Sequence, residues 1–122
     1  MGRKVDFTDG KFILTMTGIN ALFSFKRKIS IPYKMIKNVL VEDFQAPFWM
    51  LQMPGIAMAP LNIYEGSFKF DNEWYFLSYE GFGPLVKIEL NGHKKYRYLI
   101  FRIDHPTKVA AELRRRKNQC NK

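Results

Sequence analysis

Thiols and imidazoles are nearly missing from this chain. One cysteine and two histidines occur in 122 residues, and that scarcity excludes most of the chemistry small proteins perform. A lone Cys120 near the C-terminal end can form neither an internal disulfide framework nor a Cys/His metal site. Only His93, His105 and Cys120 could serve as imidazole or thiol groups, and their spacing resembles neither a zinc site nor a nucleophile with its base. Both histidines read as solvated turn residues. Among the acids only Glu42-Asp43 are adjacent, and strand alternation sends their side chains to opposite faces. Gly81-Phe82-Gly83-Pro84 lacks the further glycine and the following helix of a phosphate loop. The expectation is a non-catalytic chain with no cofactor and no metal. A lone thiol fits a reduced, cytoplasmic compartment.

Targeting signals are also lacking. MGRKVDFTDGKF has basic residues but no apolar stretch behind them, so a secretory leader is not expected. Position 6 is Asp6, which does not fit an N-myristoylation site.

Positive charge is plentiful but unevenly placed. Twenty Lys and Arg face eleven Asp and Glu, a net +9. Seven of the cations (Arg3, Lys4, Arg114, Arg115, Arg116, Lys117 and Lys122) sit in the two end segments, which hold no acid. Residues 5–113 therefore carry only +2, thirteen basic against eleven acidic. The basicity reads mainly as solubilising charge on frayed ends.

The longest absence of charge runs from Phe44 to Tyr64, in a protein where 25% of residues are charged. Pro47, Pro54, Pro60 and Gly55 would break a membrane-spanning helix into short pieces, so no transmembrane segment is expected. Phe48, Trp49, Met50, Leu51, Met53, Ile56, Met58 and Leu61 would each gain roughly 1.5–3 kcal/mol on burial. Left wet, they would forgo an amount comparable to the whole stability of a domain. The run must be covered, either folded back as a long loop over its own sheet or docked on another molecule. Phe48, Trp49 and Met50 are the residues expected to protrude.

Elsewhere the period is two. KFILTMT places Phe12, Leu14 and Met16 on one face. Residues 21–31 do the same with Ala21, Phe23, Phe25, Ile29 and Ile31, interrupted by Arg27. NVLVED ends a third run at Asp43. Residues 63–70 and 73–79 read as strands joined at Asp71-Asn72. In residues 85–90 Val86, Ile88 and Leu90 face inward, and Asn91-Gly92 predicts a two-residue hairpin turn to a return arm at 96–103. That makes seven candidate strands. The period then changes: Pro106 suits a first helical position, with Asp104 or His105 as cap. Val109, Ala110 and Leu113 form a narrow stripe that must dock on the sheet.

The order of elements, together with ISIPYKMIKNVLVED at 29–43, Phe48-Trp49, Met53-Pro54-Gly55, Gly66-Ser67-Phe68 and the closing strand running into Asp104-His105-Pro106, resembles the small bacterial pleckstrin-homology-like (PH-like) domains. The resemblance covers roughly residues 10–116. It implies a mainly β fold, a seven-stranded antiparallel barrel or sandwich capped by one C-terminal α-helix, at 10–117, with an N-terminal segment at 1–9 and a disordered tail at 118–122. It implies a fold more than an activity. Such barrels bind phosphoinositides, peptides or partner proteins, or assemble with copies of themselves. Inositide binders use basic residues around the first strand connection. Here that connection is the uncharged Gly18-Ile19-Asn20, so specific phosphoinositide recognition is not expected.

The sequence thus points to a binding or assembly module that engages a protein partner or a second copy through residues 44–64, with Phe48, Trp49, Met50, Met53, Ile56 and Met58 as contacts. The alternative is peripheral association with an anionic membrane or nucleic acid through Lys94, Lys95, Arg97, Arg114, Arg115 and Arg116, with Tyr96 on the same hairpin offering a stacking ring.

Overall fold

Alternation of apolar and polar residues decides most of the architecture. In the computed structural model, residues 3–17, 28–44, 51–58 and 63–120 are described, the stretch 51–58 by its backbone alone. Strands β1 (Arg3–Phe7), β2 (Lys11–Met16) and β3 (Lys28–Pro32) form an antiparallel sheet in that order. Phe12, Leu14, Met16, Ile29 and Ile31 all point into the core from it, while Lys28 and Ser30 are exposed. A 3₁₀ turn at Tyr33–Met35 leads to β4 (Ile36–Glu42). It is followed by β5 (Leu51–Met58), β6 (Ile63–Phe70), β7 (Glu73–Tyr79), β8 (Leu85–Leu90) and β9 (Tyr96–Phe101). These six make a second sheet, ordered β4-β8-β9-β7-β6-β5. Helix α1 (Pro106–Cys120) ends the chain. The fold is mainly β, with two sheets and one C-terminal helix. Among the described residues no pairing joins the sheets or closes either into a barrel.

Two strands exceed the seven expected. β1 falls within the N-terminal segment expected at 1–9, and RKVDF offers only Val5 and Phe7 as apolar residues. It nevertheless pairs with β2 through Phe7↔Phe12 and a tight turn in which the Thr8 amide donates to the Lys11 carbonyl at 2.9 Å. β5 arises inside the uncharged run, where a long loop was expected. Its register with β6 shifts between Gln52↔Phe68 and Gly55↔Gly66, so Met53 and Pro54 together oppose Ser67. That one-residue bulge accommodates a proline that cannot donate to the ladder. Gly66, at φ 125°, is the residue paired with Gly55 there, in a conformation that side chains resist. Of the strand expected at 21–31, residues 28–31 belong to β3, while residues 21–27 and the connection Gly18-Ile19-Asn20 lie outside the described residues.

The pairing is also not wholly antiparallel. β7 runs parallel to β9 in the register Phe76↔Leu99 and Leu77↔Ile100, because β8 and β9 enter as a hairpin beside β7 and the chain returns in the same direction. Asp71 and Asn72, at φ 54° and 63°, form the two-residue turn between β6 and β7 as the sequence suggested.

One core lies between the three-stranded sheet and the facing side of the six-stranded one. Phe76, Val86, Ile88, Leu99 and Phe101 meet Phe12, Leu14, Met16 and Ile31 there, and Ala110 and Leu113 of α1 join them. A second cluster among the described residues, Tyr64, Phe68, Leu77, Tyr79, Leu85 and Ile100, is also buried; these six lie on β6 to β9, with Phe44 and Tyr75 packed against them. The large sheet is thus apolar on both faces.

Among the described residues the basic end segments belong to β1 and α1. The helix runs through Cys120, so residues 118–120 are helical rather than tail. Arg114 donates from Nε and Nη2 to the Val39 carbonyl at 3.0 and 2.8 Å. Arg116 reaches the Thr8 carbonyl at 3.1 Å and lies over the Phe7 ring. Arg115 and Arg116 share Glu112, which holds that carboxyl down at about 2.

Arg3 is the larger departure. Its side chain is only 2% exposed. Nε donates to Ser78 Oγ at 2.6 Å, and Nη2 donates to both Glu65 Oε2 and Glu80 Oε1 at 2.7 Å. Ser78 Oγ in turn donates to Glu65 Oε1 at 2.7 Å. The start of β1 is thereby fastened to β6, to β7 and to the residue after it.

This cluster sets an acid limit on stability. Burial opposes ionisation of Glu80, but the hydrogen bond and charge of Arg3, with Arg102 adding, outweigh it and hold the carboxyl below its ordinary value of 4.5. A lowered carboxylate stabilises the fold above its unfolded pKa and loses that contribution as pH falls through the folded value. Urea unfolding followed across pH should show stability declining below about pH 4.5. Glu80→Gln should be less stable at neutral pH and have a shallower acid decline; an unchanged decline contradicts the assignment.

Candidate functional site

The uncharged run contributes an edge. β5 carries Met53, Ile56 and Met58 and stands at the end of the six-stranded sheet, paired on one side with β6. Phe48, Trp49 and Met50 lie outside the described residues. The opposite edge, β4, is treated differently: α1 packs against it, and Arg114 takes up the Val39 carbonyl. An edge strand presents main-chain donors and acceptors that template another strand. The chain covers one such edge with its own helix.

The six basic residues named from sequence do not form one surface. Arg114 lines a cleft between β4 and α1 with Lys37, Asn38, Lys117 and Asn118. Arg115 and Arg116 are held by Glu112. Arg97 donates to Glu89 at 2.7 Å and stands 3.7 Å from Glu73, and this contact keeps the Glu89 carboxyl below its usual range. Of the six, Lys94 and Lys95 are the exposed ones that have no carboxylate or carbonyl partner among the described residues.

Lys95 lines a cleft of about 190 Å³ at one end of the large sheet, and Lys94 precedes it in the same connection. Its walls are Asn72, Glu73 and Trp74 after the first hairpin turn, and Gly92, His93, Lys95, Tyr96 and Arg97 from the second. The parallel register brings the walls together by pairing Trp74 with Tyr96. Lys95 Nζ lies 4.8 Å from the centre of the Trp74 ring, and Lys69 Nζ lies 5.8 Å from it.

Local sequence shapes the second wall in an unexpected way. Asn91-Gly92 does not make a two-residue turn: β8 ends at Leu90, β9 begins at Tyr96, and only Gly92 of the pair has positive φ, at 87°. The five-residue connection is organised by His93, whose Nδ1 accepts from the Lys95 and Tyr96 amides at 3.1 and 3.0 Å while its ring stacks on Tyr96. His93 is a loop-holding acceptor rather than a simple solvated turn residue. Tyr96 is not an available stacking ring either. It is 4% exposed, and its hydroxyl is bonded to Ser67 Oγ at 2.6 Å. The half-buried ring in the cleft is Trp74, which the alternating pattern marks only as a strand residue. A signal was present in the tryptophan directly after a turn, flanked by Lys69 five residues earlier.

On the outer side of the same strands Tyr75 and Tyr98 stack at 4.7 Å, with Lys87 over Tyr98 and Phe44. Burial, reinforced by Tyr98 and the nearby Glu73 and Asp71 carboxylates, raises the Tyr75 phenol to about 12. Among the described residues no three His, Cys, Asp or Glu gather as a metal site, and no helix is long and apolar enough to cross a membrane.

His93→Ala should speed hydrogen exchange at the Lys95 and Tyr96 amides and lower stability by about 1 kcal/mol, with His93→Asn restoring part of the protection. Unchanged exchange at both amides contradicts the loop-holding role. Compared with known proteins, the chain matches no family model, no curated protein and no solved structure.

Proposed function

We propose that this chain is a non-catalytic binding or assembly module on a PH-like frame, docking a protein partner or a second copy along the uncharged segment 44–64. The observation that carries the reading is the placement of β5 at the end of the six-stranded sheet while the other end is closed off by α1 and Arg114. A strand without a single charge lacks the lysines and glutamates that usually guard an edge, although the bulge at Pro54 limits how much of it can pair. Strand addition would supply main-chain hydrogen bonds, and Met53, Ile56 and Met58 the adaptable apolar contacts. The PH-like frame is supported by a β-rich body ending in a helix docked on the sheet, and the parallel β7–β9 pair is its departure from an all-antiparallel barrel. A cytoplasmic setting accords with the free, exposed Cys120.

Solution mass measured from micromolar to submillimolar protein tests this reading in its self-assembly form. Wild type should grow in mass with concentration, while Ile56→Lys and the double variant Phe48→Ser, Trp49→Ser should stay monomeric with an unchanged far-ultraviolet spectrum. A wild type that is monomeric throughout removes self-association. Variants that associate like wild type remove the segment as the docking edge.

A further inference from the structure

The hairpin-end cleft carries charge and aromatic surface that the β5 edge does not use. Glu73 and Glu89 are both taken up by Arg97, and Glu89 also lies 3.7 Å from Lys37, so these four charges cancel. What remains is Lys95 on the wall, with Lys69 beside the Trp74 ring and Lys94 and Asp71 in the adjoining connections. None of the three lysines has an ion-pair partner among the described residues, and two hold their ammonium groups over the half-buried Trp74 ring. Asn72, beside them, adds an amide at the rim.

We infer that this cleft binds single-stranded nucleic acid, with a base stacked on Trp74 and the phosphates met by Lys69, Lys94 and Lys95. A solvated ammonium is a weak occupant of an aromatic face, whereas a base stacks there more strongly. When a base displaces the ammonium, the lysine stays close by to pair with the adjoining phosphate, so one exchange satisfies both groups. An acidic peptide would use the lysines and leave Trp74 idle. A lipid surface would call for protruding apolar residues beside the lysines, yet the exposed large apolar side chains among the described residues are Leu40 and Phe82, neither of which lines the cleft. The rigid floor is already in place, because Tyr96 is anchored through Ser67 and His93 fixes the loop.

Anisotropy of a fluorescein-labelled oligothymidylate titrated with the full chain tests this assignment. Binding should weaken with salt, with log K against log salt sloping at about −2 for three single-strand phosphate contacts. Trp74→Leu should cost about tenfold or more in affinity, and Trp74→Phe should recover most of it. The pair Lys69→Glu, Lys95→Glu should lose binding and flatten the salt slope, while Lys34→Glu, an equal change of charge per site on the 3₁₀ turn, should bind nearly as wild type. No binding by wild type overturns the inference. So does binding that survives Trp74→Leu, or a loss in Lys34→Glu as large as in the cleft variants, which would mean diffuse attraction. Attachment to phosphatidylserine vesicles without oligonucleotide binding would assign the cleft to a membrane. Lys69 is paired with Leu51 of β5, whereas Trp74 pairs with Lys69 and Tyr96 and lies outside 44–64, so the Trp74→Leu and Trp74→Phe results separate the cleft from the docking edge.

Discussion

A cation withdrawn from water is the constraint around which this fold is arranged. Arg3 stands at the first described residue of the chain, where charge is ordinarily solvated, yet its guanidinium is enclosed between the small sheet and the large one. Removing an ion from water costs several kcal/mol even after relaxation. The cost is offset only because Ser78, Glu65 and Glu80 receive the guanidinium in fixed directions, and Arg102 balances the second carboxylate. Apolar contacts between two sheets tolerate small slides. A forked set of charge-assisted hydrogen bonds does not. The clasp therefore fixes how β1, and through it β2 and β3, sits over β6 and β7, and the core between them packs in that one registry.

The parallel alignment of β7 and β9 is the second organising fact, and the candidate site follows from it. Two parallel neighbours begin at the same end of a sheet, so the turn before β7 and the loop before β9 lie side by side. Had the pair run antiparallel, Trp74 and Lys95 would stand at opposite ends and the cleft would not exist. The same alignment sets Tyr75 on Tyr98 along the outer face. Aromatic residues thus recur where the two strands meet.

What was legible in the sequence was whatever alternates. β2, β6, β7 and β8 follow their patterns nearly to the residue, and Pro106 opens the helix where its fixed φ fits. The missed parts share a cause, in that each depends on partners distant in the chain. β1 has too few apolar residues to announce itself, and Arg3 looks like solubilising charge until Glu65 and Ser78 are brought to it. β5 is concealed by prolines whose effect a bulge absorbs. Asn91-Gly92 gave a strong local signal for a tight turn, overridden when His93 supplied an acceptor for two amides farther along. Arg97 and Arg114 to Arg116 were legible as basic but not as already paired, and Trp74 became a site residue only through the parallel register.

The account stands or falls on whether the buried ions act as a unit. A double-mutant cycle of Arg3→Met and Glu65→Leu, followed by urea unfolding at neutral pH, measures this directly. If the clasp joins the sheets, each single change strands a buried charge and costs about 3–5 kcal/mol, while the double change removes both charges and costs much less than the sum. Single costs that simply add, to within about 0.5 kcal/mol, would show that Arg3 and Glu65 do not depend on one another, contradicting the clasp.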